Sequence, residues 1–491
     1  MRVGYAHLQA SLGLTAFPPA RPAEVRPVTR VEAVGDVLAI PARMAPPADD
    51  VLAHLLFALK HEGTDLAIAM EALPRIPADA LRTAFTRTPN GSYIRLACHL
   101  WEIANGQDLI EGPTSAGGPW AAVFDPTRYV TGPAQRHPRW RVAWNGLGTP
   151  RFCASVRRTP ALEAALAKET LRRVHEYINS LDALLLDRAL DWAYLHETRE
   201  SFAIERESPP EDRQRAFVAL LQQAHERRPL DEDYLVALQQ ATVSNPFDRA
   251  AAFRHQQNWL QGPLRGSAGV TYVPPPPDLA QELMDELMVF ANGRALNVDP
   301  LVAAAVASFA FVFVHPFMDG NGRLSRFLVH HALCRAGALR DGLILPISVA
   351  MKAHEPDYLD ALQTFSRPAR ARWNVSWIDE ATYVFDYRGD AGHSFYRYWD
   401  ATPCTEFLLR MAEVALETGL RQETEYLLRY DHVVRTVGET YDVRNSDLAT
   451  LVVSALDNGG RISRRRRDQF AERVPQAVFD AIEAAVRDAA P

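Results

Sequence analysis

Cysteine is scarce in this 491-residue chain: Cys98, Cys153, Cys334 and Cys404 stand far apart and form no CxxC pair. That spacing excludes a zinc-finger arrangement and a secreted disulfide framework, and it favours a reducing, cytoplasmic compartment. Long apolar runs are also missing. The most apolar stretch, Leu301 to Val314, is too short to cross a bilayer and reads as a buried helix. No basic stretch precedes an apolar core in MRVGYAHLQASLGLTAF, so no signal peptide is expected. A large excess of one charge is absent too. The net charge of -7 favours solubility and gives no support to a general role on nucleic acid or acidic membranes. No internal repeat is found.

What is present is the composition of a soluble globular protein, 47% hydrophobic and 23% charged, long enough for two or three domains. The first fifty residues are proline-rich, with a short strand expected at Asp36–Ile40. Helical patterns run from near Asp50 to Ala104, and 112–148, rich in Gly, Pro and Trp, reads as irregular. From Pro160 helical spacing returns, through Leu171, Val174, Ile178, Leu181 and Leu184. Two further helices are expected at Glu211–Arg227 and Asp231–Val243. The end of 258–273, VTYV, alternates like a hairpin arm. Pro274–Pro277 must be extended. Asp278 and Asp299–Pro300 each read as a helix start. Trp377–Trp399 reads as an aromatic, irregular boundary, and Thr405–Ala490 as helical. The fold class expected is all-α with one small hairpin.

Chemistry concentrates at 315–326, His-Pro-Phe-Met-Asp-Gly-Asn-Gly-Arg-Leu-Ser-Arg, a loop entering a helix. Backbone amides at such a helix start, with the dipole behind them, make an anion site. Gly320 and Gly322 let a phosphate chain approach the backbone. Arg323 and Arg326 share a face of the first turn, and their planar forks match phosphate oxygens. Asp319 suits Mg²⁺, which prefers few carboxylates plus substrate oxygens. His315 can accept a proton from an attacking hydroxyl near neutral pH, and Asn321 can position a phosphate or the loop itself. Each residue has a blander reading: a packed histidine, a chain-reversing turn, a solvated Arg-x-x-Arg pair. A metal-hydrolase pair of His315 and Asp319 has no second histidine at helpful spacing. The combination is what carries weight.

HPFMDGNGRLSR resembles the Fic family signature HPFxDGNGRxxR at every defining position. Asn258-Trp259, with Tyr272-Val273-Pro274-Pro275-Pro276-Pro277, is similar to that family's hairpin flap and polyproline exit. Asp299-Pro300-Leu301 and Leu345-Pro346-Ile347-Ser348 resemble its flanking helices. The resemblance covers roughly 190 to 370. It implies an all-α, Fic-type helical core with a small β-hairpin flap, and transfer of AMP from ATP to a Ser, Thr or Tyr hydroxyl of a protein. By that resemblance His315 is the general base and Asp319 the Mg²⁺ ligand. Gly320, Asn321 and Gly322 form the anion loop, Arg323 holds the inner phosphates, and Arg326 holds the γ-phosphate. A target segment would pair with the flap, about 258–273, by main-chain hydrogen bonds; self-modification is a further expectation. Tyr358 is a candidate for the adenine pocket, with a core aromatic as the alternative.

Ser201-Phe-Ala-Ile-Glu205 fits the first five positions of the family's inhibitory-helix pattern [S/T]xxxE[G/N], upstream of the core, with Arg206 at the last. The resemblance implies that Glu205 pairs with Arg326 where the γ-phosphate belongs, or that it positions a water that removes AMP. The expected organisation is an N-terminal accessory region (1–150), a Fic core (151–390) with an inhibitory helix at about 190–207, and a C-terminal helical domain (391–491). Other donors, or a non-catalytic interaction role, are the alternatives. The basic run Arg461–Arg467 reads as a solvated face, so nucleic acid is disfavoured as a partner, and no membrane association is expected.

Overall fold

The computed structural model describes residues 1–489 except 244, 341, 380–381 and 390–392. The chain divides into two compact units, each assembled from separated stretches. The first comprises Met1–Glu169, Ser201–Asp341 and His354–Arg410; the second comprises Thr170–Glu200, Gly342–Ala353 and Met411–Pro491.

In the first unit the expected strand forms at Val37–Ile40, inside a four-stranded sheet with Arg2–Val3, Ala23–Val25 and Glu32–Val34. The helices Val51–His61, Leu66–Ala72, Ala78–Arg87 and Ser92–Asn105 follow. Asp50 and Asp65 start the first two by accepting from the Ala53 and Ile68 amides. Their apolar faces share a core of Leu55, Ile68, Leu100, Trp140 and Trp144. The stretch 112–148, expected to be irregular, contributes short strands. One of them, Leu147–Gly148, pairs with Cys153–Ser155, which in turn runs parallel to Tyr398–Asp400.

The core of the site lies between two helices. The buried helix, Pro300–Val314, starts as expected: Pro300 takes the first position, and the Asp299 side chain accepts from the Leu301 and Val302 amides. Thirteen of its fifteen residues are buried, so it has no solvent face and packs on all sides. The loop helix, Asn321–Arg335, packs against it. The helix Pro277–Asn292 precedes both. It begins at Pro277 with Pro276 at the cap position, so Asp278 lies in the first turn and is not the cap.

The hairpin forms between Leu260–Gln261 and Val270–Tyr272. A second hairpin, Trp373–Trp377 with Tyr383–Tyr387, occupies part of the stretch expected to be irregular. Trp259 packs on Tyr383 and Phe385, ring centroids 4.7 and 5.4 Å away.

The second unit is helical. Val433, Leu451, Phe479 and Ile482 form its core, from the helices Gln422–Gly438, Asn445–Asp457 and Gln476–Asp488. Among the described residues no helix is long and apolar enough to cross a membrane.

Candidate functional site

His315 terminates the buried helix. Its amide donates to the Phe311 carbonyl at 2.9 Å, and its backbone is left-handed, φ 53°. A side chain holds that conformation at a cost of about 1–2 kcal/mol, and such strain is kept where surrounding structure enforces it. Turned this way, the ring folds back on its own helix, with Nδ1 3.1 Å from the Val312 carbonyl. A carbonyl only accepts, so this contact assigns the proton to Nδ1 and leaves the lone pair on Nε2. Burial first, then the Arg254 guanidinium, push the ring's pKa down to about 4, against the opposing pull of Val312 O, Glu205 and Asp319. The imidazole is therefore neutral at neutral pH and Nε2 can take a proton.

The loop that follows is braced from within. Asn321 Oδ1 accepts from the Phe317 amide at 3.0 Å while its Nδ2 donates to the Phe317 carbonyl at 2.8 Å, so both polar atoms of Asn321 serve the loop backbone. Gln239 Nε2 holds the Asp319 carbonyl at 3.1 Å. Asp319 Oδ1 accepts from the Gly320 amide at 2.6 Å. Gly320 enters the helix at φ 88°, where glycine is favoured. The first-turn amides beyond it have no acceptor within the helix.

That helix start is occupied by a carboxylate. A Cβ on Gly322 would collide with Glu205 Oε1, so Glu205 sits directly against the backbone where an anion is favoured. Arg323 and Arg326 are each only 1% exposed, and both pair with the segment carrying Glu205. Arg326 donates from Nε to Ser201 Oγ (2.9 Å) and from Nη2 to Ser201 O (2.7 Å) and Glu205 Oε1 (2.9 Å). Arg323 donates from Nη1 to Glu207 Oε2 (2.9 Å) and Thr242 O (3.2 Å), and from Nη2 to both Asp319 oxygens (3.2 and 3.3 Å). Its face lies 5.1 Å from the Phe202 ring centroid. Buried Arg323 Nε has no hydrogen-bond partner among the described residues.

The geometry of the Glu205 segment follows from how its helix ends. The Glu207 amide donates to Phe202 O and the Arg206 amide to Ala203 O, both at 3.0 Å, with Arg206 left-handed at φ 60°. This is a Schellman end, which calls for a left-handed residue where the family pattern has Gly or Asn. Arg206 departs from the pattern in residue type and keeps the conformation. Glu207, two residues on, is turned onto Arg323; nothing in the one-dimensional pattern marks it.

Tyr358 is buried. Its ring lies 6.2 Å from Phe309 and 5.7 Å from Phe407, centroid to centroid. Burial pushes its hydroxyl's pKa up, while the Arg326 guanidinium pulls it down. Among the described residues there is no group of three or more His, Cys, Asp or Glu that could hold a metal ion. A cation at this loop would therefore rely on Asp319 together with oxygens of a bound phosphate chain, a donor set that suits Mg²⁺.

Residues 229–333 match the Fic/DOC family model. A protein adenylyltransferase Fic of Aedes aegypti is 38% identical over 112 residues, 23% of this chain and 19% of that protein. Protein adenylyltransferase fic-1 of Caenorhabditis elegans is 35% identical over 77 residues, 16% of this chain and 15% of that protein. The chain thus spans less than a fifth of the length of these relatives. Among solved structures, a Fic family protein from Desulfovibrio desulfuricans G20 aligns with TM-score 0.39 and 20% identity, over 67% of this chain and 90% of that one.

Proposed function

From the premise that residues 229–333 are a Fic/DOC family domain, we propose that the protein transfers AMP from ATP to a Ser, Thr or Tyr hydroxyl of a target protein. One observation carries this reading. A neutral imidazole with a free Nε2 stands at one end of a loop whose other end is a helix start flanked by two buried guanidiniums. The donor's phosphates would lie on the first-turn amides, with Arg323 and Arg326 on their oxygens. Buried Arg323 Nε supplies a donor still to be used. Asp319 would hold Mg²⁺, which when bound neutralises charge along the phosphate chain. His315 Nε2 takes the proton of the attacking hydroxyl; the new O–P bond forms at the α-phosphate as its bond to pyrophosphate breaks. Tyr358, buried against Phe309 and Phe407 and beside Arg326, would line the adenine side of the donor site.

Occupation of the same place by Glu205 supports autoinhibition, because a carboxylate and a phosphate cannot share one helix start and one guanidinium. Glu207 would restrain Arg323 in the same way. The hairpin would hold a target segment through its main chain, with self-modification as one outcome. The four buried cysteines, none of them in a disulfide among the described residues, are in keeping with a reducing, cytoplasmic compartment. Residues 1–150 and 391–491 are proposed to be accessory to a core at 151–390. The test is label transfer from ATP labelled at the α-phosphate, comparing the native chain, Glu205→Gly and Glu205→Gly/His315→Ala. A rise with the first change and loss with the second is the expected result. A folded Glu205→Gly chain that labels neither itself nor any protein of a lysate would refute the proposal.

A further inference from the structure

Arg254 lies outside the loop motif, yet it holds the loop's backbone at both His315 and Pro316. It is 6% exposed. Among the described residues no carboxylate pairs with it; its partners are carbonyl oxygens. Nε donates to His315 O at 2.8 Å, Nη1 to Gln256 O at 3.0 Å, and Nη2 to Pro275 O and, at 3.5 Å, Val314 O. Its own amide donates to Pro316 O at 2.8 Å.

An unpaired buried cation is costly, and here the cost is met by the site chosen. The last carbonyls of a helix lack intrahelical donors and carry the negative end of the dipole. In the buried helix all of them find partners: Val312 O the His315 ring, Phe313 O the Tyr272 hydroxyl, and Val314 O and His315 O the Arg254 fork. Asn258 Nδ2 adds contacts to His315 O at 3.4 Å and Phe317 O at 2.9 Å. Burial lowers the Arg254 pKa to about 10, so it stays charged at neutral pH. One planar side chain thus ties the end of the buried helix to the polyproline exit of the hairpin. A lysine, with its single nitrogen, could not span those carbonyls.

We infer that Arg254 is a positioning residue for His315, fixing the left-handed turn that aims the imidazole and joining the hairpin's exit to it. This rests on the reading of His315 as the base. Its cation also disfavours a proton on the adjacent ring, opposing Glu205 and Asp319, which favour one. Removing it therefore raises the proton affinity of His315; loosened packing that admits water would do so too, so Arg254→Lys, which keeps the cation but not the fork, separates the two.

The experiment uses the full chain in the Glu205→Gly background, with Arg254→Gln and Arg254→Lys. It reads kcat and KM for ATP, and the pH titration of the His315 ring by ¹⁵N–¹H correlation, assigned with His315→Gln. Arg254→Gln is expected to lower kcat by about tenfold to a hundredfold, the range for a misplaced catalytic group. KM should stay within about twofold, because the phosphate-binding arginines are untouched, and the His315 titration should move to higher pH. Arg254→Lys should keep the His315 midpoint nearer the parent's while losing most of the kcat; it also decides the matter if the Gln variant does not fold. An unmoved titration in Arg254→Gln overturns the inference, whether kcat is unchanged or falls together with ATP affinity, and so does an Arg254→Lys chain that keeps the parent's kcat. Absence of transfer in the parent would sink the reading of the function, while the ring titration would still decide the role of Arg254.

Discussion

Replacing Glu205 by glycine removes one charge-assisted hydrogen bond, 2.9 Å long, to a guanidinium that is 1% exposed. Such bonds contribute about 1.5–3 kcal/mol. The carboxylate is itself 36% exposed, so solvent screening puts its contribution at the low end, about 1.5 kcal/mol. Arg326 keeps its two bonds to Ser201, so the guanidinium remains in place for a phosphate. A carboxylate competing with the donor for one site weakens donor binding by its own interaction energy, and about 1.4 kcal/mol is roughly tenfold. ATP affinity, read by calorimetry with Mg²⁺, should therefore rise by roughly tenfold. The initial rate of labelling at subsaturating ATP should rise by a similar factor. Without nucleotide the variant leaves a buried cation with one fewer partner and should melt at a lower temperature than the native chain. Mg²⁺-ATP should recover that loss. A Glu205→Gly chain that is folded, binds ATP as weakly as the native chain and labels no faster would refute the reasoning.

Because the His315 ring is held at about 4, well below its ordinary 6.5, it gains a proton only in acid. In Glu205→Gly, kcat/KM for ATP should persist below pH 6 and fall as the pH approaches 4; an acid limb centred near 6.5 would show that the ring is not so held. Arg206→Gly should raise the thermal midpoint by relieving a left-handed side chain, a gain of up to about 1 kcal/mol, and should leave basal labelling no higher; a lowered midpoint would contradict the Schellman end. Glu207→Ala added to Glu205→Gly should increase ATP affinity further, by less than the first change, since Asp319 still engages Arg323; a decrease would assign Glu207 a supporting role. Asp319→Asn in the Glu205→Gly chain should abolish the Mg²⁺ dependence of ATP binding measured by calorimetry, and retention of that dependence would place the ion elsewhere.

The loop was legible because its chemistry is contiguous. His315 to Arg326 spans a helix end, a glycine turn and a helix start, and each local rule acts within a few residues of the groups it places. Asp299–Pro300 announced the buried helix for the same reason. Arg254 and Glu207 were not legible: an arginine whose partners are carbonyls distant along the chain leaves no complementary residue to recognise. Glu207 is aimed by a Schellman turn that Arg206, as an arginine, conceals. The short strands in 112–148 and the hairpin at 373–387 were missed because two- to five-residue strands carry little periodicity, and their pairing partners set them. Asp278 shows the reverse error. A good capping residue lost to Pro277, whose fixed φ begins the helix two residues earlier than a cap at Asp278 would.

The most direct test of AMP transfer at this loop is the fate of label from ATP carrying it at the α- or the γ-phosphate, incubated with the Glu205→Gly chain and with Glu205→Gly/Arg326→Ala. Acid-stable label on protein from the α position alone, lost in the double variant, is the predicted result. Label from the γ position, or α label that survives loss of Arg326, would contradict the account.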